Sequence, residues 1–275
     1  MLNRAIKVVL TILTLFLVSC ATGSNSLNAT LWMQTAAEYR AATTAIYQSA
    51  TDRLQKALSD RSWTADLKQM QHAGSYEKLP PAIVLDIDET VLDNSPFQAR
   101  MILDGTGFDP DQWDLWISKA EAQAIPGAVA FLKTANQMGI QIIYITNRAC
   151  KARPDNLYSC PQEQDTLKNL KRRGFPAIQN TDTLLLQNEQ PGWTSEKQSR
   201  RDLVAGQYRI IMMFGDDLGD FLPDVKSNIT PNIRDREVKK YQALWGRKWF
   251  VLPNPDYGSW MNILSEPKTQ YLRGF

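Results

Sequence analysis

The sequence predicts a doubly wound α/β domain: a parallel sheet with helices on both faces and a small helical region at one edge. Three observations predict it. Short β-branched apolar runs recur after Pro80-Pro81, helical segments lie between them, and the runs end in polar or acidic turns. Continuously apolar runs of this kind belong to strands buried on both faces, as parallel strands between two helical layers are. At 275 residues, 43% hydrophobic and 22% charged, the chain has ordinary globular composition and room for one such domain with additions.

In chain order, residues 1–19 hold Arg4 and Lys7 and then an apolar stretch, Val8 to Val18, too short to span a bilayer and suited to a secretory signal. The stretch ends Leu17-Val18-Ser19-Cys20-Ala21, which resembles the acylation box of bacterial lipoproteins. Cys20 is therefore expected to become the lipid-bearing N-terminus. With no acidic residue following it, the resemblance implies the outer membrane, and several acyl chains on one residue anchor stably. Residues 20–28 read as a small, polar tether. The signal carries two positive charges and no negative ones, so the chain's 31 basic and 29 acidic residues become 29 of each. A formally neutral protein without a basic run excludes a nucleic-acid partner and points to a small-molecule substrate.

The domain then runs over 29–275. Trp32, Ala36, Tyr39, Ile46, Ala50, Leu54 and Leu58 recur at a spacing of three or four, which predicts one long helix with a packing stripe. Strands are predicted over Ala82 to Asp88, Ile140 to Thr146, Arg209 to Gly215 and Lys248 to Leu252, with Thr183 to Leu186 as a weaker fifth. Helices are predicted over Gly127 to Met138, Gln162 to Arg173 and Glu196 to Ala205. Residues of about 29–75 and 94–125, the latter holding Phe97, Phe108, Trp113 and Trp116, form the helical additions. In this architecture ligands bind at the carboxyl ends of the strands.

Those ends are rich in chemistry. The first strand closes in Asp86-Ile87-Asp88-Glu89-Thr90, the second in Thr146-Asn147-Arg148, and a later one in Gly215-Asp216-Asp217-Leu218-Gly219-Asp220, with Lys197 opening a helix just before it. Any one of these is a weak sign; the ordered set is a strong one. It resembles the haloacid dehalogenase (HAD) superfamily of phosphotransferases. More narrowly, DIDETVLDNSPF from Asp86, Trp113 and Trp116 before Pro126-Gly127-Ala128, GDDLGDF from Gly215 and LPNPDYGSW from Leu252 resemble the class C acid phosphatases, bacterial surface lipoproteins of the 5′-nucleotidase, lipoprotein e(P4) type. Leu31-Trp32-Met33-Gln34 and Ala37-Glu38-Tyr39 extend the likeness to nearly the whole mature chain.

The resemblance implies an HAD-like fold and a phosphate monoester hydrolase acting on nucleoside 5′-monophosphates through an aspartyl-phosphate. Asp86 would be the nucleophile and Asp88 the acid and base, changing protonation state as that chemistry requires. Thr146 would hold phosphate oxygens and Lys197 would neutralise charge. Mg2+ would be held by Asp86, Asp216 and the backbone carbonyl of Asp88, since carboxylates and a phosphate dianion repel unless a hard cation lies between them. Thr90, Asn147 and Arg148 are further candidates for substrate contact, Phe97 and Tyr257 for stacking on a base, and Asp220 for orienting a metal-bound water or Lys197. Trp113, Trp116 and Trp260 are expected to pack. Where the family usually has asparagine, Asp217 adds a charge with no evident role, and the loop Gln187 to Glu196 lacks a lysine often found there.

Cys150 and Cys160 bracket residues 151–159 and are expected either to staple this loop or to stay as two thiols; a metal site would need a second ligand pair. A broad-specificity phosphomonoesterase and a catalytically silent phospholigand- or partner-binding lipoprotein are the competing readings. Intact Asp86 and Asp88 favour the enzyme. A histidine nucleophile is disfavoured because His72 is the single histidine and lies outside every motif.

Overall fold

The computed structural model describes residues 24–275 apart from 155, 179 and 180. The expected signal and Cys20 lie outside the described residues, and no helix among those described is long and apolar enough to cross a membrane. Five strands form one parallel sheet: β1 (Pro81–Leu85), β4 (Gln141–Ala149), β5 (Leu184–Gln187), β6 (Arg209–Gly215) and β7 (Trp249–Val251), in the order β5-β4-β1-β6-β7. A two-stranded ribbon, β2 (Leu92–Asp93) with β3 (Gln123–Ala124), lies outside it. The weaker fifth strand is a full member at the β5 edge, paired through Tyr144 with Leu184 and Thr146 with Leu186. The three strands whose ends carry the first, second and last motifs are adjacent, with β1 between β4 and β6.

The sheet is buried on both sides because alternate residues of each strand serve two cores. Ile83 and Leu85 join Phe131 and Phe214 in one, while Ala82 and Val84 join Met213 and Trp249 in the other. Each aliphatic or aromatic side chain so enclosed contributes about 1.5–3 kcal/mol. The first core is closed by stacked rings, Tyr47 on Phe214 at 5.5 Å and Phe214 on Phe250 at 4.8 Å. Indole N–H groups staple both cores: Trp249 Nε1 donates to Ala65 O at 2.8 Å in the second, and Trp63 Nε1 to Ile211 O at 2.8 Å in the first.

The expected long helix is three: α1 (Ser24–Thr35), α2 (Ala37–Thr51) and α3 (Leu54–Ser59). Residues 24–28, expected in the tether, are helical. No proline or glycine breaks the run; Ala36 is extended at φ −74° and ψ 128°. The cause is tertiary. Thr30 on α1 donates to Asp256 Oδ1 at 2.8 Å, whereas α2 turns Tyr39, Thr43, Tyr47 and Ala50 inward. Trp32, expected in the stripe, is consequently 36% exposed, and Thr43 and Tyr47 take the buried places. Further helices are α4 (Leu67–Gln71), α5 (Ser95–Asp104), α6 (Pro110–Lys119), α7 (Ala128–Gln137), α8 (Pro161–Arg172), α9 (Gln198–Gln207), α10 (Pro231–Lys240) and α11 (Ser259–Asn262).

Cys150 and Cys160 are joined as a disulfide with their Cα atoms 4.9 Å apart. The stapled loop lies on α6: Arg153 pairs with Asp114 and Asp165 at 2.6 Å each, and Lys151 with Asp111 at 2.9 Å.

Candidate active site

Strand β1 ends at Leu85, short of the expected Asp88, but Asp86 N still donates to Phe214 O at 3.0 Å, which fixes the first carboxylate beside β6. Lys197, at the N-cap of α9 and 3% exposed, reaches Asp86 Oδ1 at 2.5 Å and Asp220 Oδ1 at 2.7 Å. Asp216, the first residue after β6, completes the group: Asp86, Asp216 and Asp220 each place a carboxylate oxygen within 4.8 Å of the others. Asp220 therefore stands among the candidate cation ligands as well as beside Lys197. Gly215 makes the approach possible by lacking a side chain, for a Cβ there would lie 2.2 Å from Asp220 Oδ2.

Crowding shows in the titration of these groups. Burial is the main force that raises the Asp86 carboxyl to about 6; Lys197 opposes it, while Asp220 and Asp88 add to it. Burial and then the charges of Asp220 and Asp86 push Asp216 well above the carboxylate range. Lys197, which burial alone would lower, is raised by Asp220 and Asp86. One ammonium among three carboxylates leaves the cluster short of positive charge. Its all-oxygen donor set fits a hard divalent cation such as magnesium.

Asp88 faces a different set of partners. Arg148, 1% exposed, donates to Asp88 Oδ1 from Nη2 at 2.8 Å and from Nε at 3.0 Å. Asn94 Nδ2 donates to the same oxygen at 2.9 Å, and Thr146 Oγ1 to Oδ2 at 3.3 Å. Arg148, expected at the substrate, is thus a buried partner of Asp88, and the Asp88 carboxylate does not join the cation cluster. Asn147 turns its Oδ1 to Arg200, at 2.9 Å. Thr90, also expected at the substrate, is fully buried, its Oγ1 3.4 Å from Asp216 Oδ1 and its carbonyl accepting from Tyr47 Oη at 2.7 Å.

The two expected stacking rings are engaged by the protein. Phe97 is 5% exposed, edge-on to Trp113 at 5.1 Å and to Phe108 at 6.2 Å. Phe108 is the exposed ring of this trio, and Trp113 lies 5.9 Å from the Arg148 guanidinium. Tyr257 Oη donates to Glu89 Oε2. Trp116 packs as expected and also donates Nε1–H to Asn94 Oδ1 at 2.8 Å. The indole of Trp260 is 41% exposed, outside the core.

Sequence reasoning passed over several residues that hold this geometry. Glu89, fully buried with φ 56°, accepts from Asn94 N at 2.6 Å. Burial, then Asp88 and Asp216, push its carboxyl well above the usual range. Asn254 Nδ2 steadies Asp216 Oδ2 at 2.8 Å. Both stand in the quoted motifs, but only their distant partners reveal their part. Asp217 has a structural role: its side chain accepts from Gly219 N at 2.8 Å and Ser259 N at 2.6 Å, while Asp217 N donates to Asp220 Oδ2 at 2.9 Å. This reciprocal cap fixes Asp220. Burial would raise Asp217, but the hydrogen bonds from Ser259 and Gly219 win and lower it. Lys226, from beyond the last motif, donates to Ser195 O in the loop that lacks its own lysine.

A model of the HAD superfamily, subfamily IIIB (acid phosphatase), matches residues 18–260. The fold superposes on the class C acid phosphatase from Bacillus anthracis with tungstate bound with a TM-score of 0.74, at 35% identity, covering 92% of this chain and 99% of that one. A second structure of the class C acid phosphatase from that organism gives 0.74 at 34% identity, over 92% and 98%. Two stem glycoproteins of Glycine max, of 31 and 28 kDa, are 25% identical over 178 residues and 26% over 144, or 63% and 50% of this chain. The chain spans 58% and 52% of their lengths, about half of each. The chain belongs to the HAD subfamily IIIB acid phosphatases, and within them to the class C type.

Proposed function

We propose that this chain hydrolyses phosphate monoesters, nucleoside 5′-monophosphates foremost, through a phospho-aspartate on Asp86, and does so at the bacterial envelope, anchored by lipid on Cys20. The observation that carries the reading is the group at the strand ends: Lys197 bridging Asp86 and Asp220 at 2.5 and 2.7 Å, with Asp216 in the same cluster. Phosphoryl transfer is catalysed by positioning and charge neutralisation, and this group supplies both.

One Asp86 oxygen is held by Lys197 and the other attacks phosphorus as the bond to the ester oxygen breaks. Asp88, aimed by Arg148, Asn94 and Thr146, gives the leaving oxygen its proton and takes one from the water that later cleaves the acyl phosphate. Lys197 keeps the nucleophile ionised where burial would protonate it. Asp86, Asp216 and Asp220, with the Asp88 carbonyl, would hold magnesium, whose charge would offset that of the phosphate oxygens. Thr146 and the backbone around it receive those oxygens.

Enclosure of Phe97 at 5% exposure supports a second reading, a broader phosphomonoesterase. Tyr257→Ala decides between the two: a nucleotidase loses turnover of AMP while keeping that of a small aryl phosphate, and unchanged selectivity sinks the stacking role. The parent reading is tested on a soluble form starting at Ala21, by phosphate release from nucleotide and aryl esters with magnesium or chelator, beside Asp86→Asn. Release that needs both metal and Asp86 is expected; none from any ester would leave a phospholigand-binding protein.

A further inference from the structure

Three residues beyond Lys197, Arg200 occupies an uncommon position for a charge. It is fully buried, yet every acceptor it reaches is neutral. Its Nη1 donates to Thr146 O at 2.6 Å and Leu185 O at 3.3 Å; its Nη2 donates to Asn147 Oδ1 at 2.9 Å and Thr194 O at 2.8 Å, with Glu196 O at 3.5 Å. Nε has no partner. Side chains with a full charge are almost never enclosed this completely unless paired with an opposite one. Arg148, equally buried, has the Asp88 carboxylate at 2.8 Å; Arg200, like Arg201 and Arg209, makes no ion pair among the described residues, but of these three it alone donates to Thr146 and Asn147.

Where Arg200 points explains what the charge is for. Thr146 O and Asn147 Oδ1 belong to the end of β4, where the phosphate oxygens are received. Donation into the Thr146 carbonyl polarises the Thr146–Asn147 peptide and strengthens its N–H as a donor, because hydrogen bonds in series reinforce one another where the dielectric is low. The fork also fixes the Asn147 side chain. Of the charges that act on Arg200, that of Asp86 is the strongest; burial lowers the guanidinium to about 10, which leaves it charged at neutral pH. Arg201, next in the helix, holds Asp220 O at 2.9 Å and Gly219 O at 3.3 Å, so α9 grips the second and last motif loops at once.

We propose that Arg200 is a positioning residue of the phosphoryl site, a buried cation without a carboxylate of its own that orients the Thr146–Asn147 peptide and lends its charge to a bound oxyanion. The proposal rests on the phosphatase reading above. Calorimetric titration of inorganic phosphate and of tungstate into the magnesium-loaded protein tests it, comparing wild type with Arg200→Gln and Arg200→Lys. Losing hydrogen bonds from a charged donor predicts that Arg200→Gln binds both anions about 30-fold more weakly, and Arg200→Lys, with its charge but without the fork, about 3- to 10-fold more weakly. Equal losses in the two variants, or affinity within about twofold of wild type in either, would overturn the proposal, as a purely structural arginine moves the thermal midpoint alone. If Arg200→Gln does not fold, Arg200→Lys decides by itself between a 3- to 10-fold loss and none, the loss being that of about one ordinary hydrogen bond with the charge kept. Anion binding is read without turnover, so a wild type that binds oxyanions and releases no phosphate would sink the phosphatase reading and leave the Arg200 comparison standing.

Discussion

Without a bound cation, the protein should become less stable as pH rises from 4 to 7 because of Asp86 itself, and replacing Asp86 by Asn should remove that loss. Burial raises the Asp86 carboxyl from 3.8 to about 6, so the folded chain holds this proton more tightly than the unfolded one does. The stabilisation from the bound proton is complete below about 4 and disappears as pH rises through about 6. At about 1.4 kcal/mol for each unit, the two units or so are worth about 3 kcal/mol at neutral pH. For a chain of this size that amounts to a fall of about 6–12 °C in thermal midpoint. The assay is thermal unfolding of wild type and Asp86→Asn in chelator, at steps between pH 4 and 7. The midpoint difference between the two should swing toward the variant across that interval, and magnesium should restore the wild type chiefly at the upper end. A difference that stays flat, or swings toward wild type, would refute the account of a cation-deficient carboxylate cluster.

Three further outcomes are expected. Arg148→Met leaves Asp88 without its buried partner and should cost about 3–5 kcal/mol in denaturant unfolding together with most of the turnover; a stable, active variant would show that the pair at 2.8 Å matters little. Glu89→Gln should change stability by about 1 kcal/mol or less at pH 7, because burial, with Asp88 and Asp216, drives that carboxyl toward its neutral form; a loss of several kcal/mol would refute this. Cys150→Ser should lower stability by about 3 kcal/mol, the effect of opening a loop of this length. Its midpoint should then no longer respond to reductant, as that of the wild type does.

Much of the fold was legible because parallel strands bury both faces and so write themselves as unbroken apolar runs. Each of the five strands lies within a residue or two of its reading, apart from the early end of β1 and the later end of β4. The break at Ala36 was not legible: no proline or glycine marks it, and the contacts on either side of it, Thr30 with Asp256 and the buried face of α2, are distant in sequence. The same divide runs through the site. Asp86, Asp216 and Lys197 could be found because motif order and strand ends say where they must meet. The burial of Arg148 against Asp88, and the contact of Tyr257 with a glutamate 168 positions away, depend on how loops settle on one another. Asp217 is a different case. An acidic residue three positions ahead of Asp220 is the spacing of a reciprocal cap, so its role was written locally and was hidden by its setting in a catalytic motif.

The hydrogen bond from Thr30 to Asp256 ties the first described helix to the loop that carries Tyr257, across 226 positions of sequence. Trimming α1 to obtain a tidier soluble protein would expose a carboxyl that is 6% accessible and free the loop beside the Asp216 partner Asn254. The N-terminal helix thus acts at a distance as a brace for the loop of Asn254 and Tyr257, and where a soluble form is begun bears on how firmly Asp216 is held.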